Sequence, residues 1–282
     1  KENNAQLRYF ILFNTILASL LSSIFTYIIT YQTLDRKIIY LERIQLNNLK
    51  IIELINDSAI IQYIHPSDSI LLASILFWIL GMFVFSIRFT VGIIGLNKLK
   101  NTSKCIVEPK LMELLNKLNH RFNISKKIQF GSSDQISSPL TFGFFKPIIL
   151  IPTSLLSNVS LEQIELIITH EIIHIKRRDY LVNIIQNVVE ILFFFHPAIW
   201  WLSRNIRKER EHCCDDGVLE LYSPLKYSEV LLHVESNKIS LREQQLYLSL
   251  NDKQNLLLKR VKRIMEISSK QNKSTIFSKF VI

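Results

Sequence analysis

Apolar residues in this chain occur both as long unbroken runs and as periodic faces, and the two patterns predict different elements. From Tyr9 to Leu34 there are 26 consecutive residues without a charge. A helix needs about 20 such residues to cross hydrocarbon, so this run predicts a spanning helix. A signal peptide is the competing reading, but the stretch is too long and no small-x-small cleavage pattern follows it. A second run, Ser69 to Ile87, holds 19 uncharged residues and stays apolar past Arg88 to Leu96, which predicts a second span. A third, Tyr180 to Ser203, is apolar except for Glu190 and includes Trp200 and Trp201. Its length allows a span, and a buried or membrane-grazing helix fits as well.

Elsewhere the pattern is periodic. Ser160-Leu-Glu-Gln163 is a capping box, with the serine hydroxyl placed for the free amide three residues on and Gln163 able to reach back. Ile164, Ile167, Ile168, Ile172 and Ile175 follow at helical spacing. Between Gln129 and Ile151, alternating and β-branched residues with Gly131 and Gly143 at turns predict short strands just before that helix. Near the end, Asn255–Met265 is amphipathic at helical spacing.

Composition narrows the class. Hydrophobic residues make up 48% of the 282 and the mean hydropathy is +0.20, which argues against disorder and against an ordinary soluble domain. Six glycines and seven prolines exclude collagen-like and linker-rich architectures, and three cysteines make no disulfide framework. A reducing compartment is therefore expected.

The formal net charge is +10 and unevenly spread. Residues 35–68 carry 4 basic and 5 acidic side chains, whereas residues 97–150 carry 9 and 3. Basic flanks lie on the cytoplasmic side, so the first span starts inside, near Lys1 and Arg8, and the second returns. The expected organisation is a spanning helix over 1–34 with a short cytoplasmic start, an extracytoplasmic loop over 35–68, a span over 69–96, a cytoplasmic domain over 97–235 and a basic segment over 236–282. Residues 238–279 hold 10 basic and 3 acidic side chains, a composition drawn to anionic lipid at the inner face. The even spread of lysines and the lack of a DNA-binding motif speak against nucleic acid.

The chemistry is concentrated at residues 170–174, His-Glu-Ile-Ile-His. At this composition about 0.01 such motifs are expected by chance. On a helix, residues i and i+4 share a face, so His170 and His174 can bind one Zn²⁺ while Glu171 serves as general base toward water at the metal. A catalytic zinc needs a third protein ligand. Glu211 and Asp215 form an i,i+4 carboxylate pair in which Glu211 can ligate and Asp215 can accept a hydrogen bond from the far nitrogen of a ligand histidine. A solvated charge run explains that segment equally well on spacing alone, and Glu209 and His212 are rival ligands. Tyr227, His196 and His233 are candidate donors to a tetrahedral oxyanion. Pro139–Pro147 is the candidate edge-strand region for an extended peptide substrate, with an ordinary hairpin as the alternative.

These blocks together resemble the BlaR/MecR-type membrane metallopeptidases, the signal transducers of inducible beta-lactam resistance and their relatives. The likeness rests on His-Glu-Ile-Ile-His followed by Ile-Lys-Arg-Arg-Asp-Tyr, on Phe195–Trp201, on Arg210–Asp216, on Thr141–Pro152 and on Gly81–Phe89, and it extends over most of residues 70–235. It implies that His170, His174 and Glu211 bind zinc, that Glu171 is the base and that Asp215 supports the ligands from behind. The fold it implies is α+β and mainly α: membrane-spanning helices, then a small gluzincin-like zinc metalloprotease domain with short antiparallel strands before the HExxH helix. Both halves of the zinc site must share one side of the bilayer, which favours a non-crossing helix for 180–201. Such transducers usually carry one more span upstream, a fourth after the protease and a penicillin-binding sensor domain, none of which is matched within these 282 residues. They also usually show Ala-Cys-Asp where this chain has Cys213-Cys214-Asp215.

The function expected from the resemblance is a zinc endopeptidase of the bacterial inner membrane with a cytoplasmic site, used in signal-triggered proteolysis. Its partners would be the bilayer, a protein substrate that is a transcriptional repressor or the chain itself, and a second copy as a candidate dimer. Two rivals are a housekeeping membrane gluzincin of the CAAX-protease or HtpX-like type and a non-catalytic receptor retaining the fold. An intact Glu171 weighs against the latter.

Overall fold

The computed structural model describes residues 5–47, 66–106, 108–242 and 257–267. The remainder of the expected 35–68 loop, and of the 236–282 segment, lies outside the described residues. The chain divides into two compact units, one formed by residues 1–9, 90–185 and 205–282 and the other by residues 10–89 and 186–204.

The second unit is helical. Helix α1 spans Ala5–Asn47 and α2 spans Pro66–Thr102, each continuing beyond its uncharged run. Both are long and apolar enough to cross a membrane, over Ala5–Thr33 and Ser69–Thr102. Their side chains face outward rather than into a core: Phe10, Phe25, Leu80 and Phe83 are all more than 60% exposed. In water such surface would be unfavourable, whereas in lipid it needs no covering.

The third apolar run is not one helix. It breaks at 193–196 between α6 (Asp179–Leu192) and α7 (Pro197–Leu219), with Pro197 at a first helical position that needs no amide donor. At 14 residues and about 1.5 Å per residue, α6 is roughly 21 Å long and falls short of a 30 Å core. The break is held by aromatic packing. Phe194 stacks on Phe85 with centroids 5.5 Å apart, and Phe85 lies 5.7 Å from Trp200. Trp78 Nε1 donates to the Leu192 carbonyl at 3.0 Å. A Cβ at Gly81 would run into the Phe194 ring, which packs directly over this glycine and would have to shift to admit any side chain.

The first unit is built on a four-stranded sheet of β1 (Lys104–Cys105), β2 (Gln129–Ser133), β3 (Leu140–Phe142) and β4 (Ile148–Pro152), in the order β1-β2-β4-β3. Short strands thus precede the helix that carries residues 170–174 as expected, though not all of them pair antiparallel. The outer pairings, β1 with β2 and β3 with β4, are antiparallel, while the central pair β2 and β4 is parallel. The apolar run Ile148–Ile151 is fully buried, the pattern of a strand covered on both faces. Gly143, at φ +92°, turns the chain from β3 into β4.

Helices α3 (Pro109–Arg121), α4 (Thr153–Asn158), α5 (Leu161–Lys176) and α8 (Pro224–Arg242) cover the sheet together with a helix over 257–267, here α9. Leu111, Leu114, Leu115 and Leu118 of α3 meet Ile164, Ile167, Ile168 and Ile172 of α5 in one core, to which α9 adds Ile264. The capping box forms as expected, with Gln163 N bonding Ser160 Oγ and Ser160 N bonding Gln163 Oε1. Most of the isoleucine stripe of α5 packs into the core, while His170 and His174 on an adjoining face line a cavity together with Ile167 and Ile175.

Candidate metal centre

Helix α5 sets the two imidazoles one turn apart, with their Nε2 atoms 3.2 Å from each other. Helix α7 brings Glu211 to the same point, 3.6 Å from His170 Nε2 and 3.8 Å from His174 Nε2. The three donor atoms lie within 4.8 Å of one another. The rivals Glu209 and His212 face elsewhere: Glu209 Oε2 accepts from Arg8 at 2.8 Å and lies 3.3 Å from His212 Nδ1.

The far nitrogens explain the ring orientations. His174 Nδ1 sits 2.8 Å from Asp179 Oδ2. A carboxylate only accepts, so Nδ1 carries a proton, and a neutral ring then turns its Nε2 lone pair toward His170 and Glu211. His170 Nδ1 meets Tyr227 Oη at 2.8 Å, and that hydroxyl donates to Asp215 Oδ1 at 2.6 Å. Tyr227 therefore accepts from His170, which again leaves Nε2 unprotonated. Asp215 stands 3.7 Å from His170 Nδ1, so it reaches the ring through the tyrosine rather than directly. Two ring nitrogens 3.2 Å apart beside a carboxylate are accommodated by a shared proton or by a cation held among all three groups. The donor set of two imidazoles and one carboxylate with an open side suits a zinc-like ion.

The local field favours positive charge at this point. Burial opposes a charged His174 ring, but Cys214, Asp179 and Glu211 favour it and raise its pKa well above 6.5. Burial pushes the Cys214 thiol up to about 12, so it is neutral near pH 7 and the pull comes from the two carboxylates. Burial likewise opposes ionisation of Glu211, but His170, Arg260 and His174 outweigh it and hold the carboxyl well below its usual range. For Tyr227, burial first and then Asp215 raise the pKa far above 10, so the proton it shares with Asp215 stays in place.

Glu171 is 8% exposed, and its Oε2 accepts from Thr141 Oγ1 of β3 at 2.5 Å. A cavity of about 390 Å³ joins these groups, lined by Pro139, Leu140, Thr141 and Gly143 on one side and by His170, Glu171, His174 and Glu211 on the other. The Pro139–Pro147 region thus contains β3, a sheet edge that borders the cavity. Of the candidate oxyanion donors, Tyr227 is committed to Asp215 and His170. His233 is exposed on α8 and does not line the cavity. His196 belongs to the other unit.

Sequence reasoning missed three residues. Asp179 follows His174 by five positions in Ile-Lys-Arg-Arg-Asp-Tyr, and an acid closing a helix that carries a ligand was a usable signal. Thr141 lay in a block already singled out. Arg260 of α9 gave none, because it reads as one cation in a basic tail. It bonds Asp215 through Nη2 at 2.6 Å and Nε at 3.0 Å and approaches Glu211 Oε2 at 3.3 Å. Arg263 Nη2 bonds Asp216 Oδ2 at 2.7 Å. These two arginines turn inward, one to the buried Asp215 and one to the half-buried Asp216, instead of outward to lipid as the basic tail predicts, while Lys259 and Lys262 remain exposed.

Known proteins place this site in a family. The sequence model described as BlaR1 peptidase M56 matches residues 4–264. The chain belongs to that family. Among its relatives are the regulatory protein BlaR1 of Bacillus licheniformis, 31% identical over 180 residues covering 62% of this chain and 30% of that protein, and BlaR1 of Staphylococcus aureus, 30% identical over 213 residues covering 74% and 36%. The methicillin resistance mecR1 protein of Staphylococcus aureus strain Mu50 is 31% identical over 110 residues, 38% of this chain and 19% of that protein. The chain spans about a third of the length of these BlaR1 relatives. Membership of the M56 peptidases, with two exposed apolar helices, supports a membrane location and a metal-dependent peptidase fold.

Proposed function

We propose that this chain is a membrane-anchored zinc endopeptidase in which His170, His174 and Glu211 hold the metal and Glu171 is the general base. One observation carries the reading: both Nε2 lone pairs and the Glu211 carboxylate converge beside Glu171 in a cavity bordered by a free strand edge.

A divalent ion held there supplies polarisation of the scissile carbonyl and a water of lowered pKa. The protein's own groups do the rest. Glu171, oriented by Thr141, takes the proton of the attacking water and delivers it to the leaving amide nitrogen. Main-chain groups of β3 pair with an extended substrate and align its carbonyl, a recognition mode that tolerates many sequences. Asp179 and the Tyr227–Asp215 pair fix the tautomers of His174 and His170 and keep both Nε2 atoms available. Asp215 and Tyr227 are positioning residues in this scheme.

The basic residues after Leu96 put the catalytic unit in the cytoplasm, where the substrate is a transcriptional repressor or the chain itself. A regulatory role fits the names of the relatives, a regulatory protein and a methicillin resistance protein, and the choice of substrate is what the family resemblance implies. The test compares wild-type and Glu171→Gln chains in bacterial membranes, following fragments of the chain and of co-expressed repressors. Cleavage in the wild type alone is expected; equal fragmentation in both would remove the enzyme assignment.

A further inference from the structure

The first turns of α1 make two contacts that the hydrolytic scheme does not use. Arg8 Nη2 bonds Glu209 Oε2 at 2.8 Å, and the acid side chain is only 11% exposed. Glu209 lies two residues before Glu211 on α7. The next residue, Tyr9, lies against Arg177, whose Cζ is 4.7 Å from the ring centroid. Arg177 Nε in turn donates to Asp179 Oδ2 at 3.3 Å, the same oxygen that accepts from His174 Nδ1 at 2.8 Å. Adjacent residues of one helix thus touch α7 on the face turned away from Glu211, through Glu209, and, through Arg177, the acid bonded to His174. All of these residues belong to the first unit.

We propose that Arg8 and Tyr9 are positioning residues for the metal centre, tying the start of the first spanning helix to Glu211 through Glu209 and to His174 through Arg177 and Asp179. The inference rests on the metal reading above and adds what regulates that site. Helix α1 is unbroken from Ala5 to Asn47, so a shift of the span along its axis is carried to Arg8 and Tyr9. Successive residues point about 100° apart around a helix. The device converts a movement of the span into a change in the angle of one ligand helix and in the hold on one ligand ring.

A purely structural ion pair would lower thermal stability without altering the ligands, so the test reads the metal itself. The full chain in detergent micelles is loaded with Co²⁺, and both its affinity, by chelator competition, and its ligand-field absorption are measured. Groups supporting ligands from behind change metal affinity by about 10- to 100-fold, and Arg8 acts one step further out. Arg8→Gln and Glu209→Gln are each expected to weaken Co²⁺ binding by about tenfold and to shift the spectrum, and the double variant should be no weaker than the worse single, because the two residues form one contact. Arg8→Lys should recover most of the affinity. Tyr9→Leu, on the other arm, should weaken binding severalfold and multiply with Arg8→Gln. Wild-type affinity and spectrum in all folded variants, or losses that multiply between Arg8→Gln and Glu209→Gln, would overturn the inference alone. A wild-type chain that takes up no Co²⁺ would overturn the metal reading and this inference with it.

Discussion

Replacing Arg260 by methionine separates two views of the C-terminal segment, a lipid-facing basic tail and a part of the catalytic unit. Asp215 is fully buried and has three polar neighbours in reach: Tyr227 and two nitrogens of Arg260. Removing the guanidinium leaves a buried carboxylate with one hydrogen bond, a change of about 3–5 kcal/mol for buried pairs in general. The Arg260 side chain is 21% exposed, so water reaches the vacated side and the low end, about 3 kcal/mol, is expected. In a protein of this size that lowers Tm by roughly 6–12 °C, measured in detergent with chelator present so that metal binding does not contribute.

The double variant Arg260→Met/Asp215→Asn no longer buries a charge and should recover much of the loss. The pH dependence gives an independent sign. Burial raises the Asp215 pKa, but the charge and hydrogen bonds of Arg260, with His170 and Tyr227, bring it below 3.8. A depressed folded pKa contributes stability above the unfolded value, about 3.9, and that contribution is lost as pH falls through the folded value. In Arg260→Met the burial effect is unopposed, so protonation relieves the site instead. The gap between wild type and variant should therefore narrow below about pH 4. A Tm change under about 2 °C, or single-variant losses that simply add in the double variant, would refute the reasoning.

Other expectations follow from the same geometry. Asp179→Asn should keep the fold but lower metal affinity about 10- to 100-fold, read by chelator competition, because the neutral amide no longer strengthens His174 as a ligand. Thr141→Val should leave metal affinity unchanged and reduce kcat by about tenfold, since it removes only the bond that orients Glu171. Reporter fusions after Thr33 and after Lys104 should report opposite sides of the membrane; the same side for both would overturn the orientation argued from the basic flanks.

How much of this was readable from sequence depends on whether a residue's role is local. The α5 capping box, its isoleucine stripe and the His170–His174 spacing are properties of a single helix, and each is visible within 16 residues. The broken third run was legible only in part: the need for both halves of the expected zinc site to share one side of the bilayer favoured a non-crossing segment, but the turn at 193–196 depends on Phe194 meeting Phe85 and Gly81, contacts set by packing across a hundred residues. Strand pairing had the same difficulty. Alternating residues predicted short strands, while the parallel pairing of β2 with β4 follows from β3 being an edge strand inserted between them in sequence and placed outside them in the sheet.

The residues that escaped notice share a physical cause. Asp179, Thr141 and Arg260 each reach a predicted site residue, His174, Glu171 or Asp215, through a hydrogen bond, and a hydrogen bond has no sequence period. Arg260 is the extreme case, because its charge pattern suggests lipid while its guanidinium is recruited by an acid 45 positions earlier. That recruitment has a directional consequence for the unit as a whole. Helix α7 is bonded at Glu209 by Arg8 of α1 and at Asp215 by Arg260 of α9. Glu209 lies two residues from Glu211 and points about 200° away from it around the helix, whereas Asp215 lies one turn on and shares its face to within about 40°, so the two contacts grip α7 from different sides.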